Sequence, residues 1–386
     1  MLRVVQVVPA IGEESSGPSY SVPALCGGLM ENGCDVSLHF TGTKPTRDFA
    51  FPVLVYPISR FPHPRLARSP KMLAGLTMAA QDADIIHNNS LWMMPNVYPA
   101  WAKRGTKCKL VTAPRGTLAA WSLSHHWLQK KLFGWFGGQY AALRATDMWH
   151  ATSEKEYEEI RALGYRQPVA IVPIGMEVPV PEVSGFGFRV SGSELGMRLK
   201  KVVFFGRLHK VKGVDRLVRA WELVARDGWE LVIAGPDCGM LEELKGIVAE
   251  KRLPRVSFVG EINGSAKYEF LAGADIYVLP SDTENFGVTV AEALASGTPV
   301  IASQGTPWQG LETEKAGRWI PVGVESLAEA LKEMMSMSDE ERAAMGVRGR
   351  EWIARDFSWK GIGAKMTAAY EWLLGWGERP EWVKVE

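Results

Sequence analysis

Two cations stand close together in the run Phe204-Phe205-Gly206-Arg207-Leu208-His209-Lys210-Val211-Lys212-Gly213-Val214-Asp215. A guanidinium and an ammonium held at one spot suit a reaction in which negative charge grows on a departing oxyanion. A diphosphate released as a sugar bond breaks is such a group. Arg207 and Lys212 could supply that charge without a metal, although a solvated basic turn has the same composition. Farther on, Glu284 and Glu292 are separated by seven positions in Ser281-Asp282-Thr283-Glu284-Asn285-Phe286-Gly287-Val288-Thr289-Val290-Ala291-Glu292. Carboxylate oxygens accept hydrogen bonds from vicinal hydroxyls. The backbone N–H groups of a loop that opens a helix attract anions. The combination suits a ligand that carries both hydroxyls and phosphate.

These residues need elements to position them, and the chain supplies two successive runs of short apolar strands alternating with longer helical stretches. That alternation predicts parallel sheets covered by helices. In the first half the strands fall at 2–8, 35–40, 52–58, 84–87, 109–113, 147–152 and 169–173. The pattern restarts at 201–206 and continues at 230–234, 256–259, 275–280, 299–302 and 318–321. The expected organisation is an N-terminal domain over 1–178, a linker rich in Gly, Ser, Pro and Val over 179–199, and a second domain over 200–358. A C-terminal helix and tail over 359–386 should pack back toward the N-terminal domain. Two α/β domains of similar size leave a cleft between them, where ligands bind beyond the carboxyl ends of the strands. Arg207 and Lys212 would then sit in a strand–helix loop, with Asp215 as the N-cap. Glu284 would lie in a loop and Glu292 in a helix over 287–296, stopped by Gly297 and Pro299.

With both segments placed, the chain resembles retaining glycosyltransferase family 4, which has the GT-B fold of two facing Rossmann-like domains. The resemblance rests on the E-x7-E pair in "PSDTENFGVTVAEALASGTPVIAS" and on "GRLHKVKGVD" before it. It implies that Arg207 and Lys212 bind the diphosphate of a nucleoside-diphosphate sugar donor. Glu284 would hold hydroxyls of the transferred sugar, and Glu292 the ribose. The backbone of Asn285, Phe286, Gly287 and Val288 would contact sugar and phosphate. In such enzymes the segment Val259-Gly260-Glu261-Ile262 lies against the base. The implied activity is metal-independent hexosyl transfer with retention, to a glycan or lipid-linked acceptor in polysaccharide or lipopolysaccharide assembly. No cofactor is expected beyond the donor substrate.

In the first half, Pro9-Ala10-Ile11-Gly12-Glu13-Glu14-Ser15-Ser16-Gly17-Pro18-Ser19-Tyr20-Ser21-Val22 follows the first strand. Gly17 allows close backbone approach to a phosphate and Pro18 suits a helix start. "GPSYSVPAL" is similar to the glycine loop of many family members. The loops after the fourth and fifth strands bring His87, Asn89 and Arg115 forward as acceptor-side or phosphate candidates. Many relatives carry a histidine near the position of Arg115, so that histidine's role does not transfer. Ile174 in Pro173-Ile174-Gly175 likewise replaces a usual asparagine. Asp82-Ala83-Asp84 imitates a metal-binding D-x-D, but it precedes a strand, at the wrong end of the sheet.

Several classes are disfavoured. There is no G-x-G-x-x-G after the first strand and no G-x-x-x-x-G-K-[ST], which argues against a nicotinamide dehydrogenase and a P-loop NTPase. The formal net charge is +1, so a broad nucleic-acid surface is not indicated. Cys26, Cys34, Cys108 and Cys238 are scattered, with neither disulfide nor zinc spacing. No apolar run reaches the roughly 18 to 20 residues that span a bilayer, and a cytoplasmic protein is expected. Residues 1–180 carry 18 Lys/Arg against 13 Asp/Glu, a balance of +5. Aromatic and basic residues interleave at Trp121, His125, His126, Trp127, Lys130, Lys131, Phe133, Trp135, Phe136, Tyr140 and Arg144. They would make either a core-filling helix or a peripheral contact with the inner face of the membrane. Trp372, Trp376 and Trp382 read as packing. A nucleotide-sugar epimerase of the same shape would need further acid–base groups. A non-catalytic sugar-nucleotide-binding protein would not need all four of Arg207, Lys212, Glu284 and Glu292.

Overall fold

The computed structural model describes residues 1–12, 17–43, 45–46, 48–61, 63–124, 126–178 and 199–385. The expected linker therefore lies outside the described residues except at Leu199, as do His125 and positions 13–16 of the glycine-loop segment. The chain divides into two units. One comprises Met1–Gly175 with Trp359–Glu386, and the other comprises Met176–Ser358.

The first unit is built on strands β1 (Arg3–Val7), β2 (Asp35–Thr41), β3 (Val53–Tyr56), β4 (Ile85–Asn89), β5 (Lys109–Ala113), β6 (Met148–Ala151) and β7 (Val169–Ile171). The second contains β8 (Lys200–Phe205), β9 (Trp229–Ala234), β10 (Val256–Gly260), β11 (Ile276–Leu279), β12 (Val300–Ser303) and β13 (Gly317–Ile320). A short β14 (Val383–Lys384) closes the chain. The sheet orders are β14-β7-β6-β5-β4-β1-β2-β3 and β10-β9-β8-β11-β12-β13. Apolar runs such as Ile276-Tyr277-Val278-Leu279 are buried along their whole length, as strands covered on both faces must be.

Strand β14 departs from the all-parallel expectation. It pairs antiparallel with β7, Val383 against Ala170, at the sheet edge. A two-residue strand carries no readable period, so only its burial partner reveals it. Before it, helix Trp359–Leu373 packs on helix Gly17–Glu31 within the first unit, and Ile362, Met366, Ala369 and Tyr370 are buried there. Trp372 and Trp382 pack on the same core, whereas Trp376 is exposed rather than packed.

Two further local expectations change. Helix Val214–Val224 is capped by Gly213, which places Asp215 inside the first turn. There its charge still complements the helix dipole. Strand β4 runs through Asn89, so His87 and Asn89 are buried strand residues and the loop begins only at Ser90. Asp84 lies before β4 and accepts from the Arg3 N–H at 2.8 Å, a strand-end role unrelated to metal. Cys26, Cys34 and Cys108 are buried and Cys238 is exposed.

Candidate functional site

In the second unit, β8 and β11 are parallel neighbours, Ile276 opposite Val202. The loops leaving their carboxyl ends therefore emerge side by side. Backbone contacts join them: the Asp282 N–H donates to the Val211 carbonyl at 2.8 Å. Arg216, from the helix after the first loop, donates to the Pro280 carbonyl at 2.9 Å and pairs with Asp282 at 2.8 Å. Gly213 takes a left-handed φ of +66°, and a Cβ there would collide with the Pro280 carbonyl. Glycine is thus what lets the two loops close on each other.

This juxtaposition brings Lys212 to Glu284. The ammonium lies 2.5 Å from Glu284 Oε1, and the Ser281 hydroxyl donates to the same oxygen at 2.7 Å. Both side chains are largely covered, so the pair is shielded from full solvent screening. The loop after β12 holds the other side: the Glu284 N–H donates to the Gly305 carbonyl at 2.8 Å. Arg207 is exposed at the end of β8, and its guanidinium has no partner among the described residues.

Behind the Glu284 loop lies an aromatic cluster. Trp308 Nε1 donates to the Phe286 carbonyl at 2.5 Å. The rings of Phe286, Trp308, Trp352 and Phe357 meet with centroids 5.2 to 6.0 Å apart. Asn285 to Val288 are therefore held against a rigid apolar wall. Gly287 caps helix Val288–Ala295 with a φ of +78°.

Glu292 lies on that helix and is buried, 5% exposed. Its Oε1 accepts from Lys267 Nζ at 2.7 Å. Burial pushes its carboxyl above the usual range, with Lys267 opposing. Beneath both glutamates, the Tyr277 hydroxyl donates to Thr289 at 2.6 Å, tying β11 to the helix start. Lys267 was not visible as a site residue, because nothing in the spacing of helix Ala266–Ala272 sets it apart. Glu261 is exposed just beyond β10. In the other unit, Gly17 is exposed at the start of its helix, where the Gly12 N–H donates to Ser19 at 3.1 Å.

The first unit holds a second polar constellation. His150 Nε2 lies 2.8 Å from the Val172 carbonyl, which can only accept, so this nitrogen carries the proton. His150 Nδ1 must then accept from His87 Nε2 at 3.2 Å. That leaves His87 Nδ1 to accept from the Tyr370 hydroxyl at 2.6 Å and the Gln6 amide at 3.2 Å. Gln6 Oε1 accepts from Asn89 at 2.9 Å, and Asn89 Oδ1 accepts from Arg115 Nη2 at 2.9 Å and Nε at 3.3 Å. Burial, with repulsion from Arg115, keeps both histidines neutral, His150 down to about 3. His87 and Asn89 consequently face Arg115's support rather than an open loop.

Residues 16–175 match the family described as Glycosyl transferase 4-like domain, and residues 192–352 that described as Glycosyl transferases group 1. A GDP-mannose-dependent alpha-mannosyltransferase of Mycolicibacterium smegmatis is 32% identical over 175 residues, 45% of this chain and 44% of that protein. The lipopolysaccharide core biosynthesis mannosyltransferase LpsB of Rhizobium meliloti is 31% identical over 188 residues, 45% of this chain and 52% of the relative. The chain thus spans about half the length of these curated relatives. Among solved structures, sucrose-phosphate synthase from Thermosynechococcus elongatus superposes with a TM-score of 0.72 at 20% identity, covering 97% of this chain and 100% of that one. At that identity the likeness shows the fold, which is GT-B.

Proposed function

The chain belongs to the group 1 glycosyltransferases, with a glycosyl transferase 4-like domain in its N-terminal half, and from that premise we propose that it transfers a hexosyl group from a nucleoside-diphosphate sugar to a glycan or lipid-linked hydroxyl. The observation that carries this reading is the Lys212–Glu284 contact at 2.5 Å, with Glu292 a short distance along the same segment. Two carboxylates and a lysine lie in the loops and helix that leave adjacent strand ends, and this supports a ligand with sugar hydroxyls, ribose and phosphate. Lys212 and the exposed Arg207 would stabilise the departing diphosphate, supplying the charge that a metal supplies elsewhere. In the proposed reaction the anomeric bond loosens to an oxocarbenium-like state. The acceptor hydroxyl attacks from the face the diphosphate leaves, and its proton passes to that diphosphate. Configuration is retained. Glu284 orients the sugar, Glu292 the ribose, Asn285 to Val288 offer backbone N–H groups, and Glu261 lies toward the base.

Mannosyl transfer from a GDP-linked donor is the first reaction to test, because two relatives are named as mannosyltransferases and one of them as GDP-mannose-dependent. We further propose a cytoplasmic enzyme that rests on the membrane's inner face. Helix Trp127–Phe136 exposes Trp127, Leu128, Leu132, Trp135 and Phe136, with Lys131 among them. Residues 85–146 contain no Asp or Glu but eight Lys and Arg. An apolar face set in basic surroundings suits anionic lipid. Among the described residues no helix is long and apolar enough to cross a membrane.

The test is free nucleotide released from GDP- and UDP-sugars with and without a lipid-linked glycan acceptor. Acceptor-dependent release supports transfer; a chain that binds the donor and releases nothing in either case is a binding protein. A thermal-shift panel selects the base, since a ligand at 100 times its Kd adds about 2.7 kcal/mol of stability.

A further inference from the structure

Among the described residues, no carboxylate hydrogen-bonds or pairs with the Arg115 side chain. Its Nε and Nη2 both donate to Asn89 Oδ1, an uncharged amide oxygen. Asn89 is fully buried and is itself held by donating to Gln6, Val7 and His87, so it cannot turn away. Behind it stand His87 and His150, which burial keeps neutral, and the Tyr370 hydroxyl. Glu156 is the carboxylate whose field Arg115 feels. Its oxygens, however, are occupied by the Gly116 N–H at 2.6 Å, the Thr152 N–H at 2.7 Å and the Thr152 hydroxyl at 2.9 Å. A part-buried guanidinium whose hydrogen bonds go to a neutral amide has given up hydration for only the through-space field of Glu156.

The backbone tells the same story. Arg115 has a φ of +56°, and Ser90 and Trp92 in the loop after β4 each have a φ of +74°. Side chains with a Cβ seldom take this conformation, which crowds the Cβ against the backbone. Here three of them gather at the carboxyl ends of β4 and β5, which are parallel neighbours with Asn89 opposite Ala113. Strain held at the ligand end of a parallel sheet marks a site whose side-chain placement matters more than its stability.

We propose that Arg115 is the receptor for an oxyanion, a phosphate or carboxylate, carried by the acceptor. Because Arg207 and Lys212 are the cations proposed for the donor's diphosphate, Arg115 is assigned to a different negative group. Gln6, Asn89, His87 and Tyr370 are positioning residues that hold the guanidinium in register through a chain reaching to the C-terminal helix. The acceptor assignment rests on the transfer reaction proposed above, whereas the anion site does not.

The test uses the full chain and inorganic phosphate as probe, at ionic strength matched with chloride, and follows Kd by thermal shift. Arg115→Met should weaken phosphate at least tenfold, in line with loss of a charge-assisted hydrogen bond. Arg115→Gly, which relieves the left-handed strain, should do the same while keeping its melting temperature, so that lost binding is not lost folding. Tyr370→Phe should weaken phosphate by a smaller factor. Lys212→Met should leave a phosphate site intact, and GDP and UDP should bind Arg115→Met as they bind the unaltered chain. Phosphate binding that is absent, that is as tight in the Arg115→Met, Lys212→Met double variant as in Lys212→Met alone, or that disappears in Lys212→Met overturns the site. Loss of nucleotide affinity in Arg115→Met equal to the loss of phosphate overturns the assignment to the acceptor. Absence of any sugar transfer would remove the reading of the reaction and leave the phosphate result standing.

Discussion

Lys267 and Glu292 form an ion pair at 2.7 Å that joins helix Ala266–Ala272 to the helix following the Glu284 loop. Glu292 is 5% exposed, and burial already favours its protonated form. The lysine is what makes an ionised carboxylate tolerable there, and a ribose hydroxyl would have to share or displace it. Lys267→Met should therefore lower stability at pH 7.5 by about 1–3 kcal/mol, less than a fully buried pair because the lysine is partly exposed. The sign with pH follows from the raised carboxyl: the folded state prefers the proton, so the deficit should shrink as pH falls toward 4.5. Urea unfolding at pH 5 and 7.5 measures it. An equal deficit at both values would remove Glu292 as its source.

On the proposed reaction, Lys212→Met should lower turnover by about 10²-fold while changing donor affinity much less, because the charge it would stabilise grows mainly as the diphosphate departs. Glu284→Gln keeps shape and one acceptor oxygen, and its cost should fall on the sugar. GDP would bind it normally and the GDP-sugar more weakly. Steady-state kinetics with competitive GDP binding separates the two. Equal kcat in Lys212→Met and the unaltered chain would detach this lysine from the chemistry.

Acid should destabilise the first unit well before its carboxylates protonate. The unfolded chain takes up a proton at each histidine as pH falls through 6.5. Folded His150 resists to about 3 and His39 to about 4, both because they are desolvated, and His87 is also shifted far down. Stability attributable to these groups is complete above pH 6.5 and is lost as pH falls, by about 2 kcal/mol per histidine at pH 5. Urea midpoints from pH 8 to 5 should show the fall, and His150→Gln should flatten part of it. A midpoint constant over that range would contradict the neutral histidine chain.

Trp127, Trp135 and Phe136 are 59%, 64% and 88% exposed on one short helix. Replacing all three by Ser should leave the melting temperature nearly unchanged, since exposed side chains contribute little to the core. Sedimentation with phosphatidylglycerol vesicles should fall at least tenfold, with little change for neutral phosphatidylcholine. Equal sedimentation of variant and parent would show that this helix is not the membrane contact.

Read without coordinates, the chain already discloses its two α/β runs. Buried parallel strands must be continuous apolar segments, and Ile276 to Leu279 or Lys109 to Ala113 announce themselves by composition. The Glu284–Glu292 spacing and the Arg207–Lys212 run are equally local, since each is set within one strand–loop–helix passage. What local pattern could not disclose is partnership across the chain. Lys267 reaches Glu292, Tyr370 reaches His87 from 283 residues away, and Val383 joins the sheet edge beside Ala170. Those pairings depend on which elements the topology makes neighbours. The state of Arg115, a strained cation whose hydrogen bonds go to a buried neutral amide, exists only once burial has removed water from it. Sequence spacing encodes periodicity and charge; desolvation and counter-charge are properties of the folded neighbourhood.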